Sequence, residues 1–308
     1  MEKRRANIEN KQNDRRSLLM YLVSLLIVGS IGALRRSIPL SSGLLAFFRG
    51  LIGALALALY ASISAQKHFH RLPGKTLLLM ALSGAVLGIN WMLLFEAYRY
   101  TTVAVATLCY YMEPILLLLL APLLFGERLT ARKACCAVCA LIGMLLVSGV
   151  SRAGWSGTQL RGVAFGLSAA VFYALVVILN KKLPGVDVYE KTVLQLGFAA
   201  LVMLPYLLIT EDLSALSIGT PLLWRLLLIG VVYTGLVYAL YFGSMDGLRA
   251  QTIALLSYLD PVVALLVSAL YLHEPMTLRA ALGAVLILGA SIVSEGKNTK
   301  KQNEEVTK

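Results

Sequence analysis

Tyr111-Met112-Glu113-Pro114 and Tyr258-Leu259-Asp260-Pro261 stand 147 positions apart, each in the middle of a long apolar segment. A carboxylate at membrane depth is costly unless it faces a polar cavity or a partner, so an acid in such a place is by default a functional residue. Two chemistries suit it: exchange of a proton, or binding of a cationic group on a substrate. The prolines add a second feature. Having no N–H, Pro114 leaves the Tyr110 carbonyl without its helical donor, and Pro261 does the same to Ser257. Carbonyls freed at this depth need water, protein or a ligand. Glu113, Asp260, Tyr110, Tyr111, Tyr258 and Ser257 are therefore candidate substrate- or proton-binding residues, with Pro114 and Pro261 as helix breakers.

The elements that must hold these residues follow from composition. Of 308 residues 58% are hydrophobic and only 14% charged, with a mean hydropathy of +0.77, more apolar surface than a soluble domain can cover. The expected fold is all-α and polytopic. Uninterrupted apolar runs give ten spans, roughly 18–34, 41–64, 76–98, 103–125, 131–149, 160–179, 188–209, 221–245, 250–272 and 277–294. Most approach the ~20 residues that a membrane-crossing helix needs. Glu113 and Asp260 each lie about ten residues into a span, hence about 15 Å deep, near the midplane.

A net charge of +12 invites a nucleic-acid reading, which its distribution rejects. With the N-terminus inside, 20 of the 28 Lys and Arg fall on the cytoplasmic side, 7 on the other, and Arg49 lies within a span. The positive-inside rule places both termini in the cytoplasm of a multi-pass protein of the cell membrane. Residues 1–17 read as a cytoplasmic tail without a signal peptide, and 295–308 as a disordered cytoplasmic tail. Cys109, Cys135, Cys136 and Cys139 all fall in or beside apolar spans. Cys135 and Cys139 share a helix face, but no His or carboxylate joins them at ligand spacing, so small-residue packing is preferred over a metal. No cofactor is expected.

Sliding the chain on itself by 147 aligns Gly88 with Gly235, Trp91 with Tyr238, Phe95 with Phe242, Tyr111 with Tyr258, Glu113 with Asp260, Glu127 with Glu274, and Thr130 with Thr277. Earlier, Leu34-Arg35-Arg36-Ser37-Ile38-Pro39 matches Leu179-Asn180-Lys181-Lys182-Leu183-Pro184 at 145. The chain divides into five-span repeats at 18–149 and 160–294, joined by an external linker at 150–159. Because five is odd, the second repeat enters the membrane from the opposite side. Inverted repeats with broken helices meeting near the midplane are a recurrent design of alternating-access transporters.

With these features the sequence resembles the drug/metabolite transporter superfamily, specifically its ten-span EamA-type members. The resemblance runs from Leu18 to Ser294 and rests on the duplicated unit, Phe48-Arg49, Phe95-Glu96-Ala97-Tyr98, Pro114 followed by Gly126-Glu127-Arg128-Leu129, and Pro261 followed by His273-Glu274-Pro275-Met276. It implies a helical bundle around a central cavity, in proteins that move amino acids, nucleotide-linked sugars, cofactors or drugs.

Other residues carry two readings each. Arg49, about eight residues into its span, needs a carboxylate, carbonyls or the interface; a structural ion pair stands beside substrate contact, with Glu96 as a possible partner whose position near a helix end also permits simple exposure. Gln195 occupies nearly the matching place in the second half. Trp91 and Phe95, and Tyr238 and Phe242, are paired at i, i+4, and with Asn90, Tyr110, Tyr111 and Tyr258 they suit an aromatic-walled cavity for planar or cationic ligands, or plain packing. Gly84, Gly88, Gly230 and Gly235 suit close helix contact. Glu127 and Glu274 read as loop residues before Thr N-caps.

The expected function is secondary transport of a small organic metabolite, amino acid-like, cofactor or drug, in the efflux direction, coupled to a proton or to an exchange substrate. No phosphate-binding loop supports ATP coupling. An enzyme is not expected, since Asp260 is the only midspan Asp and His68, His70 and His273 map to loops or span edges. A non-transporting receptor or assembly subunit with a transporter fold is the alternative. Two acids against one arginine favour a zwitterion or cation over an anion. Oligomeric state is not legible.

Overall fold

The structure, a computed structural model, describes residues 2–31, 34, 37–63, 72–101, 106, 109–148, 157–183, 185–211, 219–271 and 277–295. Several residues named above lie outside them: Arg35, Arg36, His68, His70, Pro184, the 272–276 segment with His273 and Glu274, and the tail from 296.

Every element among the described residues is helical. They are α1 (Glu2–Gly29), α2 (Ser42–Ile63), α3 (Gly74–Tyr100), α4 (Glu113–Phe125), α5 (Ala131–Ser148), α6 (Gly157–Lys181) and α7 (Val188–Thr210). Then come α8 (Thr220–Gly230), a π-helical turn (Val231–Leu236) and α9 (Val237–Ser244) in one continuous rod, followed by α10 (Ala250–Ser257), α11 (Leu259–Tyr271) and α12 (Leu278–Glu295). Five stretches, Gly43–Ile63, Gly74–Tyr100, Gly157–Lys181, Val188–Thr210 and Thr220–Gly247, are individually long and apolar enough to cross a membrane. Large apolar side chains such as Leu123 and Ile209 stand more than four-fifths exposed on the outside of the bundle, which is the surface a lipid phase covers.

Two expected spans are broken. The 103–125 run is interrupted by a turn at Tyr111-Met112, after which α4 begins at Glu113 with Pro114 in the first turn, where no N–H is required. The 250–272 run breaks at Tyr258, between α10 and α11, and the Pro261 backbone lies in the first turn of α11. Each acid thus sits at the start of a half-helix. Gly126, at φ +66°, ends α4 in the left-handed conformation that glycine adopts without strain. α1 starts well before the apolar stretch, extending the first span into the polar leader.

The helix contacts reproduce the repeat. Pairing α1 with α6, α2 with α7, α3 with α8–α9, α4 with α10–α11, and α5 with α12, the α3–α6 contact has its mate in α1–α9. The α3–α7 contact likewise has its mate in α2 against the π turn, and α4–α6 in α1–α11. The α2–α7 and α5–α12 contacts map onto themselves. The molecule is therefore two inverted five-helix repeats about a pseudo-two-fold axis between the halves.

Glycine sets the closest of these approaches. A Cβ on Gly84 would lie 2.5 Å from the Gln195 carbonyl oxygen, and one on Gly88 2.7 Å from that of Ala199. In the other half a Cβ on Gly230 would meet the Ile52 Cβ at 2.5 Å, and one on Gly235 the Gly53 oxygen at 3.3 Å. Gly84 and Gly230 differ by 146 positions, Gly88 and Gly235 by 147. The π turn between Gly230 and Gly235 accommodates that extra residue, with the Thr234 hydroxyl donating to the Ile229 carbonyl at 2.8 Å.

Candidate functional site

A cavity of about 590 Å³ lies where the two repeats meet. Both half-helix starts contribute to it. Glu113 comes from the first turn of α4 and Asp260 from that of α11, while Ser257 ends α10 and Tyr110 and Tyr111 precede the α4 break. α2 adds Arg49, α3 adds Trp91 and Phe95, and α9 adds Tyr238. Of the aromatic and polar residues that the sequence offers for the cavity, Asn90, Tyr258 and Phe242 do not line it.

Asn90 is buried on the far face of α3, donating its amide to the Ala169 carbonyl at 2.6 Å. It holds α3 against α6. Tyr258 is fully buried one residue beyond Ser257, and a single residue step turns a helix by about 100°, so the two neighbours face different directions. Phe242 is likewise buried in the core, although Tyr238 one turn earlier faces the cavity.

The polar groups of the site are unevenly satisfied. The Tyr111 hydroxyl donates to Asp260 Oδ2 at 2.7 Å, tying the first repeat to the acid of the second. Glu113 is 2% exposed, and its Oε1 has no hydrogen-bond partner among the described residues. Ser257 Oγ lies 2.7 Å from Tyr21 Oη and donates to the Ile253 carbonyl at 2.9 Å. Arg49 donates Nε to the Thr234 hydroxyl at 3.0 Å and places its guanidinium 5.3 Å from the centre of the Trp91 ring. Both partners are neutral. The expected ion pair with Glu96 is not formed: Glu96 sits one turn from the end of α3, bonded to Arg99 at 2.9 Å and to the Tyr206 hydroxyl. Helix position explains this, because Glu96 is nearer the interface than Arg49 and finds a solvated partner within reach at i+3.

Eight of the 21 lining residues are aromatic. A continuous chain of rings runs from Trp91 through Tyr238, Tyr241 and Tyr173 to Tyr110 and Tyr111, with successive centroids 5.5 to 6.4 Å apart. Tyr173 and Tyr241 were not among the expected site residues. The repeat supplies a signal for both: their counterparts at registers 145 and 147, Val28 and Leu94, also line the cavity.

The wall continues from the acids toward one end of the bundle only, through Ile31, Leu45 and Tyr98. The counterparts of Leu45 and Tyr98 at the other end, Glu190 and Met245, do not line it. That end is cross-tied by polar contacts. Glu127, read from sequence as a loop residue, accepts from the Ala250 and Gln251 backbone N–H groups at 2.8 and 3.1 Å, capping α10 from 123 positions away. Lys133 donates to Gln251 Oε1 at 2.5 Å, Lys181 to the Met245 and Leu248 carbonyls, and Lys191 stands 3.6 Å from Asp246. The four cysteines are free thiols outside the cavity wall.

A central cavity between inverted repeats is the arrangement expected of the family that the motifs resemble. The family model for EamA-like transporters matches residues 15–149 and again 160–295. The chain belongs to the EamA-like transporter family. Among its relatives, the "Uncharacterized transporter YxxF" of Bacillus subtilis (strain 168) is 28% identical over 96% of this chain and 94% of its own length. The "Uncharacterized transporter YvbV" of the same organism is 30% identical over 88% of each. A solved structure, described only as a crystal structure of a protein, superposes with a TM-score of 0.79 at 20% identity over 90% of this chain and 96% of that one, which shows the shared fold. Family membership makes this a multi-pass membrane transporter of the drug/metabolite superfamily.

Proposed function

We propose that this family member is a secondary transporter that exports a small organic metabolite carrying an ammonium or other cationic group, by alternating access across the cytoplasmic membrane. The observation that carries the reading is the cavity between the repeats, with Glu113 on its wall and the Glu113 Oε1 without a partner among the described residues. An isolated buried carboxylate is strongly unfavourable, so Glu113 works with a proton or an organic cation upon it. The volume suits a molecule of amino-acid to drug size. The rings supply flat apolar walls and faces that attract cations. Arg49, whose partners here are a hydroxyl and an indole face, is placed to take a carboxylate, so a zwitterion satisfies both charges at once.

The lysine and arginine distribution sets the closed end, with Glu127, Lys133, Lys181 and Lys191, in the cytoplasm and the open end outside. Energy comes from a proton gradient or an exchanged solute. The test is metabolite profiling of cells and medium, wild type against the Glu113→Gln, Asp260→Asn double variant at matched membrane levels. A cationic or zwitterionic compound redistributed to the medium by wild type alone is the expected outcome. Full export by the double variant overturns the reading.

A further inference from the structure

The two acids are related by the repeat, yet their partners differ. Tyr111 and Tyr258 occupy equivalent positions two residues before Glu113 and Asp260, at the same register of 147. Tyr111 reaches across the pseudo-two-fold and donates to Asp260 at 2.7 Å. Symmetry calls for a mate, Tyr258 donating to Glu113, and that bond is not made. Instead the Tyr258 hydroxyl and Glu113 Oε1 are both buried without a hydrogen-bond partner among the described residues. Two complementary groups, buried and left unpaired at the positions equivalent to a bonded pair, are unusual in a packed interior. Their equivalents being bonded shows that the backbone geometry permits the contact.

From this asymmetry we infer that Tyr111 and Tyr258 are alternating carboxylate clamps, each belonging to one access state. In the state described here Tyr111 occupies Asp260, and Glu113 is left for the load. When the closed end opens and the open end closes, the repeats exchange conformations, as inverted repeats do. Tyr258 then donates to Glu113, Tyr111 releases Asp260, and the load is offered from the second acid. The role of these tyrosines is to position: each phenol competes with the load for one carboxylate, so release from one acid is tied to the conformational change that frees the other. This rests on the transporter reading above for the identity of the load, but the clamp itself is a property of the two states.

The test reads the states without any substrate. Ile31 lines the open cavity, and Val176, its counterpart at register 145, is fully buried. In the full-length chain with its four native cysteines replaced by alanine, Ile31→Cys and Val176→Cys are labelled separately in membranes with a small maleimide. Tyr111→Phe removes the clamp of the observed state, so labelling at 31 falls and labelling at 176 rises, each at least threefold. Tyr258→Phe removes the clamp of the other state and shifts both rates the opposite way. The double variant returns toward the parent. Should a Phe variant fail to fold, Asp260→Ala and Glu113→Ala break the same contacts from the other side and shift the labels in the same respective directions. Shifts of the same sign in both single variants, or no shift, overturn the inference. A chain that switches labels as expected but moves no metabolite would sink the transport reading and leave the clamp standing.

Discussion

Arg49 on α2 and Gln195 on α7 occupy nearly matching places in helices that pack against each other across the pseudo-two-fold, and they do opposite jobs. Arg49 lies on the cavity wall at the open end, bonded to a hydroxyl and stacked over an indole. Gln195 is fully buried toward the closed end, donating to Ser83 Oγ at 3.0 Å and Asn180 Oδ1 at 3.1 Å, with no share of the cavity. A cation in one half and a neutral brace in the other make the site polar along its length. A substrate with two charges then has one preferred orientation, which strictly equal halves could not impose. The duplication supplies two equivalent scaffolds, and single substitutions of this kind make their halves of the site differ.

The largest expected effect comes from erasing the difference. Gln195→Arg puts a buried charge against the neutral Ser83 and Asn180 side chains, a cost of about 3 to 5 kcal/mol, and the variant is expected to lose its monodisperse peak on size-exclusion chromatography in detergent. Arg49→Leu keeps the fold and removes the cation, so the transport KM for a carboxylate-bearing substrate rises by roughly tenfold or more. An unchanged KM would show that Arg49 merely braces Trp91. At the closed end, Glu127→Ala uncaps two N–H groups of α10 for about 1 to 2 kcal/mol; a lowered thermal midpoint checks it, and an unchanged one would show the cap to be dispensable. The smallest effect is expected of Thr234→Val, which takes one charge-assisted hydrogen bond from Arg49 but leaves its cation and its place over Trp91, and should raise KM only a few-fold.

Much of this arrangement was legible in the sequence because it depends on where residues fall along the chain. The repeat register, the paired acids and the chain breaks at Tyr111 and Tyr258 are all of that kind, and so are the glycines at Gly84 and Gly88. What escaped depends on which way a helix faces. Around a membrane helix nearly every face is apolar, so periodicity does not fix its rotation, and Asn90 and Tyr258 were placed on the cavity when they face away from it. The same ambiguity hid Tyr173 and Tyr241. The Glu127 cap on α10 joins residues too distant for any local motif to announce. The π turn could have been read from the one-residue difference between the Gly84–Gly230 and Gly88–Gly235 offsets.

The central claim is that the cavity recognises a cationic or zwitterionic metabolite through Glu113. The most direct measurement is the thermal midpoint of the purified chain against matched panels of zwitterionic, cationic and anionic small metabolites, for wild type and Glu113→Gln. Binding to the folded state raises the midpoint in proportion to occupancy. The account predicts that zwitterions or cations stabilise the wild type, that anions such as phosphate esters do not, and that Glu113→Gln abolishes the shift. Stabilisation by anions that survives in Glu113→Gln would contradict it.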